Sequence, residues 1–125
     1  MHPREAAGGF GPLEAEVMEA VWEAAEPVSV RMVVDVLNDG RREPLAYTTV
    51  MTVMSRLAEK QALTRRKAGR GYLYEASAAD SAGLAVKDVL RDHGDAAIAH
   101  FVEEVRGDPA TIRRLRGLLE EESDG

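Results

Sequence analysis

The residues best equipped for chemistry lie together in the middle of the chain. Thr48, Thr49 and Thr52 stand with Arg56 in the stretch AYTTVMTVMSRL (46–57), and Arg65, Arg66, Lys67 and Arg70 follow in LTRRKAGRGYLYEAS (63–77). Threonine hydroxyls exchange hydrogen bonds with base edges or phosphate, the threonine methyl can lie against the C5-methyl of thymine, and long cations neutralise phosphates. The set therefore points to a duplex lying against a surface rather than to bonds being made or broken. Tyr72 and Tyr74 join it on one reading, stacked on sugar or phosphate; on the other, they pack the hairpin onto the preceding helix.

Catalytic and metal chemistry find little support. The sequence has no HExxH, G-x-S-x-G, P-loop or G-x-G-x-x-G motif, so no enzyme class is indicated. Cysteine is absent, which removes disulfides, thiolate metal sites and a cysteine nucleophile and makes a reducing, cytoplasmic setting the default. His2, His93 and His100 are scattered. His93 with Asp92 or Asp95, and His100 with Glu103 or Glu104, are expected to be solvated helix-surface residues rather than ligands. No metal and no cofactor are expected.

The elements that must position the threonines follow from periodicity. Winding 46–57 at 100° per residue gathers Val50, Val53, Met54, Leu57 and Ala58 into one apolar stripe. Thr48, Thr49, Thr52, Ser55, Arg56 and Glu59 fall on the other side. Placing three threonines in a helix costs a few tenths of a kcal/mol each, little beside the ~1–3 kcal/mol of one good base contact. Before this helix, Leu45–Gln61, two others are predicted. One begins at Pro12 with Leu13, Val17, Ala20, Val21 and Ala24 inward. The second is capped by Ser29, carries Val30, Val33, Val34 and Leu37, and stops at the Asn38–Gly40 turn. After it, Leu63–Ala68 and Tyr72–Ala76 read as strands about a Gly-Arg-Gly turn. Three helices and a cationic hairpin are the order of a winged helix-turn-helix, with the third helix as reader and the hairpin as wing.

Charge fits that arrangement. The 125-residue chain carries a net −6, but 31–76 hold nine Lys/Arg against five acidic residues, while 1–30 hold one against six and 77–125 hold six against eleven. A basic block on an acidic protein can bind a polyanion locally while the rest of the surface repels misplaced contacts. No apolar run is long enough for a membrane span and no signal peptide is evident, so no membrane insertion is expected.

Beyond Asp80 the pattern returns to short helices, with Leu84, Val86, Val89 and Leu90, then Ile98, Phe101, Val102 and Val105, then Ile112, Leu115, Leu118 and Leu119 after GDPAT. Such stripes have too little bulk for a core of their own and call for a partner, most simply a second copy of the chain. The expected interface is Leu90, Ile98, Phe101, Val102, Val105, Ile112, Leu115 and Leu119. The fold expected overall is mainly α with a small β-hairpin wing: an unstructured 1–11, a winged-helix domain over 12–78, helical dimerisation over 79–122, and an unstructured tail at 123–125.

The stretch AYTTVMTVMSRLAEKQALTRRKAGRGYLYEAS resembles the BlaI/MecI-type penicillinase repressor family, as do GPLEAEVMEAVWE and AIAHFVEEV, so the resemblance spans roughly Leu13 to Leu119. The resemblance implies a homodimeric repressor on a pseudo-palindromic operator of double-stranded DNA, silencing β-lactam-response genes. It places Thr49, Thr52 and Arg56 in the major groove and Arg65, Arg66 and Arg70 on the backbone or minor groove. It further implies a membrane sensor with a peptidase domain as partner, and relief of repression by cleavage before a phenylalanine, here between His100 and Phe101. Characterised members have asparagine where this chain has His100, and Met51 replaces a residue that is commonly polar. A winged helix answering to a small ligand, or one serving as a protein–protein module, are the rival readings.

Overall fold

The computed structural model describes residues 9–124. Within them run α1 (Pro12–Glu23), α2 (Val30–Asn38), α3 (Tyr47–Glu59), β1 (Leu63–Ala68), β2 (Gly71–Ala76), α4 (Ser81–His93), α5 (Asp95–Val105) and α6 (Pro109–Asp124). The start signals act as the sequence predicts. Pro12 sits in the first turn of α1, and the Ser29 hydroxyl accepts from the Met32 N–H at 3.1 Å to cap α2, satisfying an amide the helix cannot. α3 ends earlier than Gln61 because Gln61 turns left-handed at φ 68°. There Ala62 N–H bonds Leu57 O and Gln61 N–H bonds Ala58 O, the double closure that terminates many helices.

The chain divides into two compact units, the first reaching Ala85 and the second beginning at Val86. In the first, Val17, Met18, Val21, Val33, Val34, Val50, Met54, Leu57, Leu63 and Tyr74 make one apolar core between the three helices and the hairpin. β1 and β2 are antiparallel, with Leu63 opposite Ala76, Arg65 opposite Tyr74 and Lys67 opposite Tyr72. A single residue extends this sheet: Val28 exchanges both backbone hydrogen bonds with Tyr74, at 2.9 and 2.7 Å, tying the wing's base to the segment between α1 and α2. One residue offers no periodicity, so this bridge is not legible from the chain alone.

Three expectations are corrected. Phe10 falls in the stretch expected to be unstructured, yet it is buried at 5% exposure in the core; an aromatic among glycines has no repeat to betray its burial. Residues 1–8, including His2, lie outside the described residues. Leu84, expected among the C-terminal helices, is buried in the first unit's core, and the Trp22 Nε1–H donates to the Ala78 carbonyl at 2.9 Å. The first unit therefore runs past residue 78 into the opening turn of α4. Third, α6 continues to Asp124, into the expected tail.

The second unit contains the rest of α4, then α5 and α6. Gly94 takes φ 51° between α4 and α5, a conformation that side-chain-bearing residues disfavour. Asp108 caps α6, accepting from the Thr111 N–H at 3.2 Å and its hydroxyl at 2.6 Å, and the Thr111 hydrogen bonds hold its carboxyl below the usual range. No side chain from Val86 to Glu121 is buried. Among the described residues no helix is long and apolar enough to cross a membrane.

Candidate nucleic-acid interface

The third helix presents its two sides as its period requires. Val50, Val53, Met54 and Leu57 are buried, while Thr48, Thr49, Thr52 and Arg56 are exposed and Ser55 is half-buried. Thr48, Thr49, Thr52 and Arg56 line, with Gly11, Pro12, Leu13 and Glu14, an open cleft of about 570 Å³ between α3 and the start of α1. Hydroxyls and a guanidinium thus share one accessible concavity.

What aims the helix was not read from sequence. Asn38, expected only to end α2, donates from Nδ2 to the Leu45 carbonyl at 3.1 Å and accepts at Oδ1 from the Leu45 N–H at 2.8 Å. The side-chain amide thus fixes the α2–α3 connection as a neighbouring strand would. At the other end of α3, Lys60 Nζ reaches Glu14 Oε2 at 2.8 Å, and Glu14 Oε1 also accepts from the Gly11 N–H at 3.2 Å. Partial burial favours the neutral carboxyl of Glu14, but the hydrogen bonds from Lys60 and Gly11 and the charges of Lys60 and Arg56 outweigh it and lower its pKa. Glu14 is thereby held as a paired anion at the edge of the cleft. An Asn closing a helix and a Glu three residues after its N-cap are the signals that could have marked these positions.

Strand alternation separates the wing cations. Arg65 and Lys67 lie on the sheet face of Leu63, Tyr72 and Tyr74, Arg66 lies on the opposite face across from Leu73, and Arg70 sits in the turn. Gly69 starts that turn at φ 61°, as tight hairpins require. The sequence grouped the four; the register makes them two on one face, one on the other and one at the tip.

The two tyrosines also part. Tyr74 is 1% exposed and packs the wing onto the core, whereas Tyr72 is exposed near the tip. Their rings meet edge-to-face with centroids 6.4 Å apart. The Arg65 guanidinium lies 4.5 Å from the centre of the Tyr72 ring and donates to the Tyr74 hydroxyl at 3.3 Å. That hydrogen bond stabilises the charged form and raises the Arg65 pKa. Lys67 Nζ stands 5.7 Å from the same ring. Two cations thus gather about one exposed aromatic, as cation–π attraction favours.

The remaining predicted site residues lie in the second unit. His100 and Phe101 are adjacent in the middle of α5, both exposed. Leu90, Ile98, Phe101, Val102 and Leu119 are exposed, and Val105, Ile112 and Leu115 half-buried. His93 and His100 line, with Val89, Ala96 and Ala97, a cleft of about 430 Å³, and among the described residues no three His, Asp or Glu gather as metal ligands would.

Known proteins resemble this chain in sequence and fold. Residues 10–121 match the family model described as penicillinase repressor. The chain is 41% identical over 119 residues to the protein named transcriptional regulator BlaI in two strains of Mycobacterium tuberculosis, covering 89% of this chain and 85% of theirs. The solution structure of the DNA-binding domain of the repressor BlaI superposes with a TM-score of 0.50 at 26% identity, over 58% of this chain and 84% of that one. A MarR-family transcriptional regulator from Rhodococcus sp. RHA1 shares the fold at a TM-score of 0.50 and 19% identity, covering 95% of this chain and 78% of its own.

Proposed function

The chain belongs to the penicillinase repressor family, as a transcriptional repressor with a winged-helix DNA-binding domain, and on that premise we propose that it acts as a homodimer on a two-fold operator. The observation that carries this reading is the exposed threonine and arginine side of α3 beside a cationic wing. Thr48, Thr49, Thr52 and Arg56 meet base edges, and Arg65, Arg66, Lys67 and Arg70, with Tyr72, follow the phosphates. A protein that binds rather than converts fits this surface.

Dimerisation rests on the second unit. Phe101 at 48% and Ile98 at 52% exposed are large apolar side chains at helical spacing, and water is a costly environment for such a stripe. A second copy with the same stripe covers both. Two reading helices then enter successive major grooves about 34–36 Å apart. Induction is proteolytic in this proposal: a peptidase, signalled from a membrane sensor of β-lactams, cuts between His100 and Phe101. Severing the tie between two half-site binders removes roughly 10²–10⁴ in avidity, and expression of the β-lactam-response genes follows.

Footprinting on the DNA upstream of the protein's own gene, at low and moderate salt, tests the reading. Two symmetric protected half-sites are expected, with log K falling against log salt by about 0.9 for each phosphate neutralised. Binding indifferent to sequence and salt would overturn it.

A further inference from the structure

One exposed side chain on α3 is out of character with its neighbours. Met51 is 40% exposed at the edge of the hydroxyl-bearing side, with Thr48 and Ser55 at i−3 and i+4 as its neighbours there. It is not core: Val50, Val53, Met54 and Leu57 already fill the buried stripe. Nor does it line the cleft towards α1, which takes Thr48, Thr49, Thr52 and Arg56. The accessible side of α3 is therefore divided, with hydroxyls and a guanidinium towards α1 and a thioether on the other flank.

Tyr47, at i−4, shares the apolar flank, but the Arg31 guanidinium lies 5.0 Å from the centre of its ring, so that aromatic face is already engaged. Met51 is the flank's exposed aliphatic side chain, beside a Tyr47 that is itself 41% exposed. Within a major groove the base edges are donors and acceptors with one exception, the C5-methyl of thymine. An unbranched, polarisable side chain with several rotatable bonds is well suited to close on a methyl group whose position varies with local DNA shape.

We propose that Met51 is a specificity-determining residue that packs on the C5-methyl of one thymine in each operator half-site, so that the preferred operator carries a 5-methylated pyrimidine at one symmetric pair of positions. This rests on the operator-binding reading above. The threonines and Arg56 recognise polar base edges through the other flank, and Met51 adds a requirement that hydrogen bonding cannot impose.

The test uses the full chain and operator duplexes in which thymines are replaced by deoxyuridine, one symmetric pair at a time. That exchange removes only the methyl. Burial of one methyl corresponds to about four-fold in affinity, so one symmetric pair should weaken binding by about fifteen-fold in fluorescence anisotropy, with the other pairs near neutral. In Met51→Ala, whose position leaves the core intact, the loss at that pair should shrink to about two-fold or less, with an unchanged melting temperature. The proposal falls if no pair responds while the unmodified operator binds tightly, which leaves the repressor reading standing. It also falls if Met51→Ala keeps the full deoxyuridine penalty, which would assign the methyl to a threonine. Failure of the unmodified chain to bind any operator would remove the repressor reading itself, and this proposal with it.

Discussion

The side-chain amide of Asn38 is bonded twice to the backbone of Leu45, donating at 3.1 Å and accepting at 2.8 Å. This pairing links the end of α2 to the entry of α3, whose N-cap, Ala46, has no side-chain oxygen to hold the first turn. The entry of α3 is thus held by a residue outside it. Asn38→Ala leaves a half-buried N–H and carbonyl without partners and is expected to cost about 1–3 kcal/mol. Denaturant melts give the stability. DNA affinity measured well below the melting temperature should also fall, because the entry of α3 is no longer fixed; unaltered affinity would show that the loop holds its shape without the amide.

The Glu14–Lys60 pair ties α1 to the far end of α3. Its folded-state pKa is lowered, so the carboxylate contributes stability above the unfolded value of about 4.3 and loses it as pH falls through the lower folded value. Glu14→Gln should therefore be less stable than the parent at neutral pH, by up to about 1 kcal/mol given that Lys60 is half exposed. The difference should shrink as pH falls below the unfolded value and through the lowered folded one. Thermal melts of both proteins from pH 7 to pH 3 make the comparison, and a gap that persists at pH 3 would point to lost packing instead.

Register predicts that the wing cations are unequal. Arg70 at the tip and Arg66 on the outer face lack the tyrosine partners of Arg65, so Arg70→Ala and Arg66→Ala report phosphate contacts alone. Each should lower the salt slope of binding by about 0.9 if its residue neutralises a phosphate, with base preference unchanged. Tyr72→Ala should weaken binding as well, by loosening Arg65, although tyrosine carries no charge; titrations at four salt concentrations separate these effects. Reversing Arg65, Arg66 and Arg70 to Glu together should abolish binding.

The second unit is expected to assemble through its exposed stripe. Ile98→Glu with Phe101→Glu places charges where two copies would meet, and sedimentation should show a monomer. Operator affinity should drop by roughly 10²–10⁴ with the helical content retained. A dimer that survives both changes would move the interface elsewhere.

Much of the first unit is legible from the chain alone because its signals are local. Pro12, Ser29 and the turn at Asn38–Gly40 set the limits of α1 and α2 where sequence reasoning puts them, and the switch from a period near 3.6 to a period of 2 after Gln61 announces the hairpin. Val28, Phe10 and Leu84 were not legible in the same way. Each joins the core as one residue from a segment with a different pattern, and a single buried side chain leaves no repeat. The site divides similarly: the exposure of Thr48, Thr49, Thr52 and Arg56 follows from helical periodicity, whereas the support from Asn38 and Glu14 depends on segments that meet only after folding.

The amino-acid sequence by itself determined which elements form and which side of α3 stays wet, because hydrogen bonding along a helix and alternation along a strand are decided by neighbours in the chain. Only the tertiary structure decided how the wing charges are shared between two sheet faces, which tyrosine is buried, and which contacts fix α3. Those outcomes depend on strand register and on meetings such as Val28 with Tyr74 and Glu14 with Lys60, 46 residues apart. No local propensity encodes a distance of that kind; the burial of a common apolar core brings such residues together.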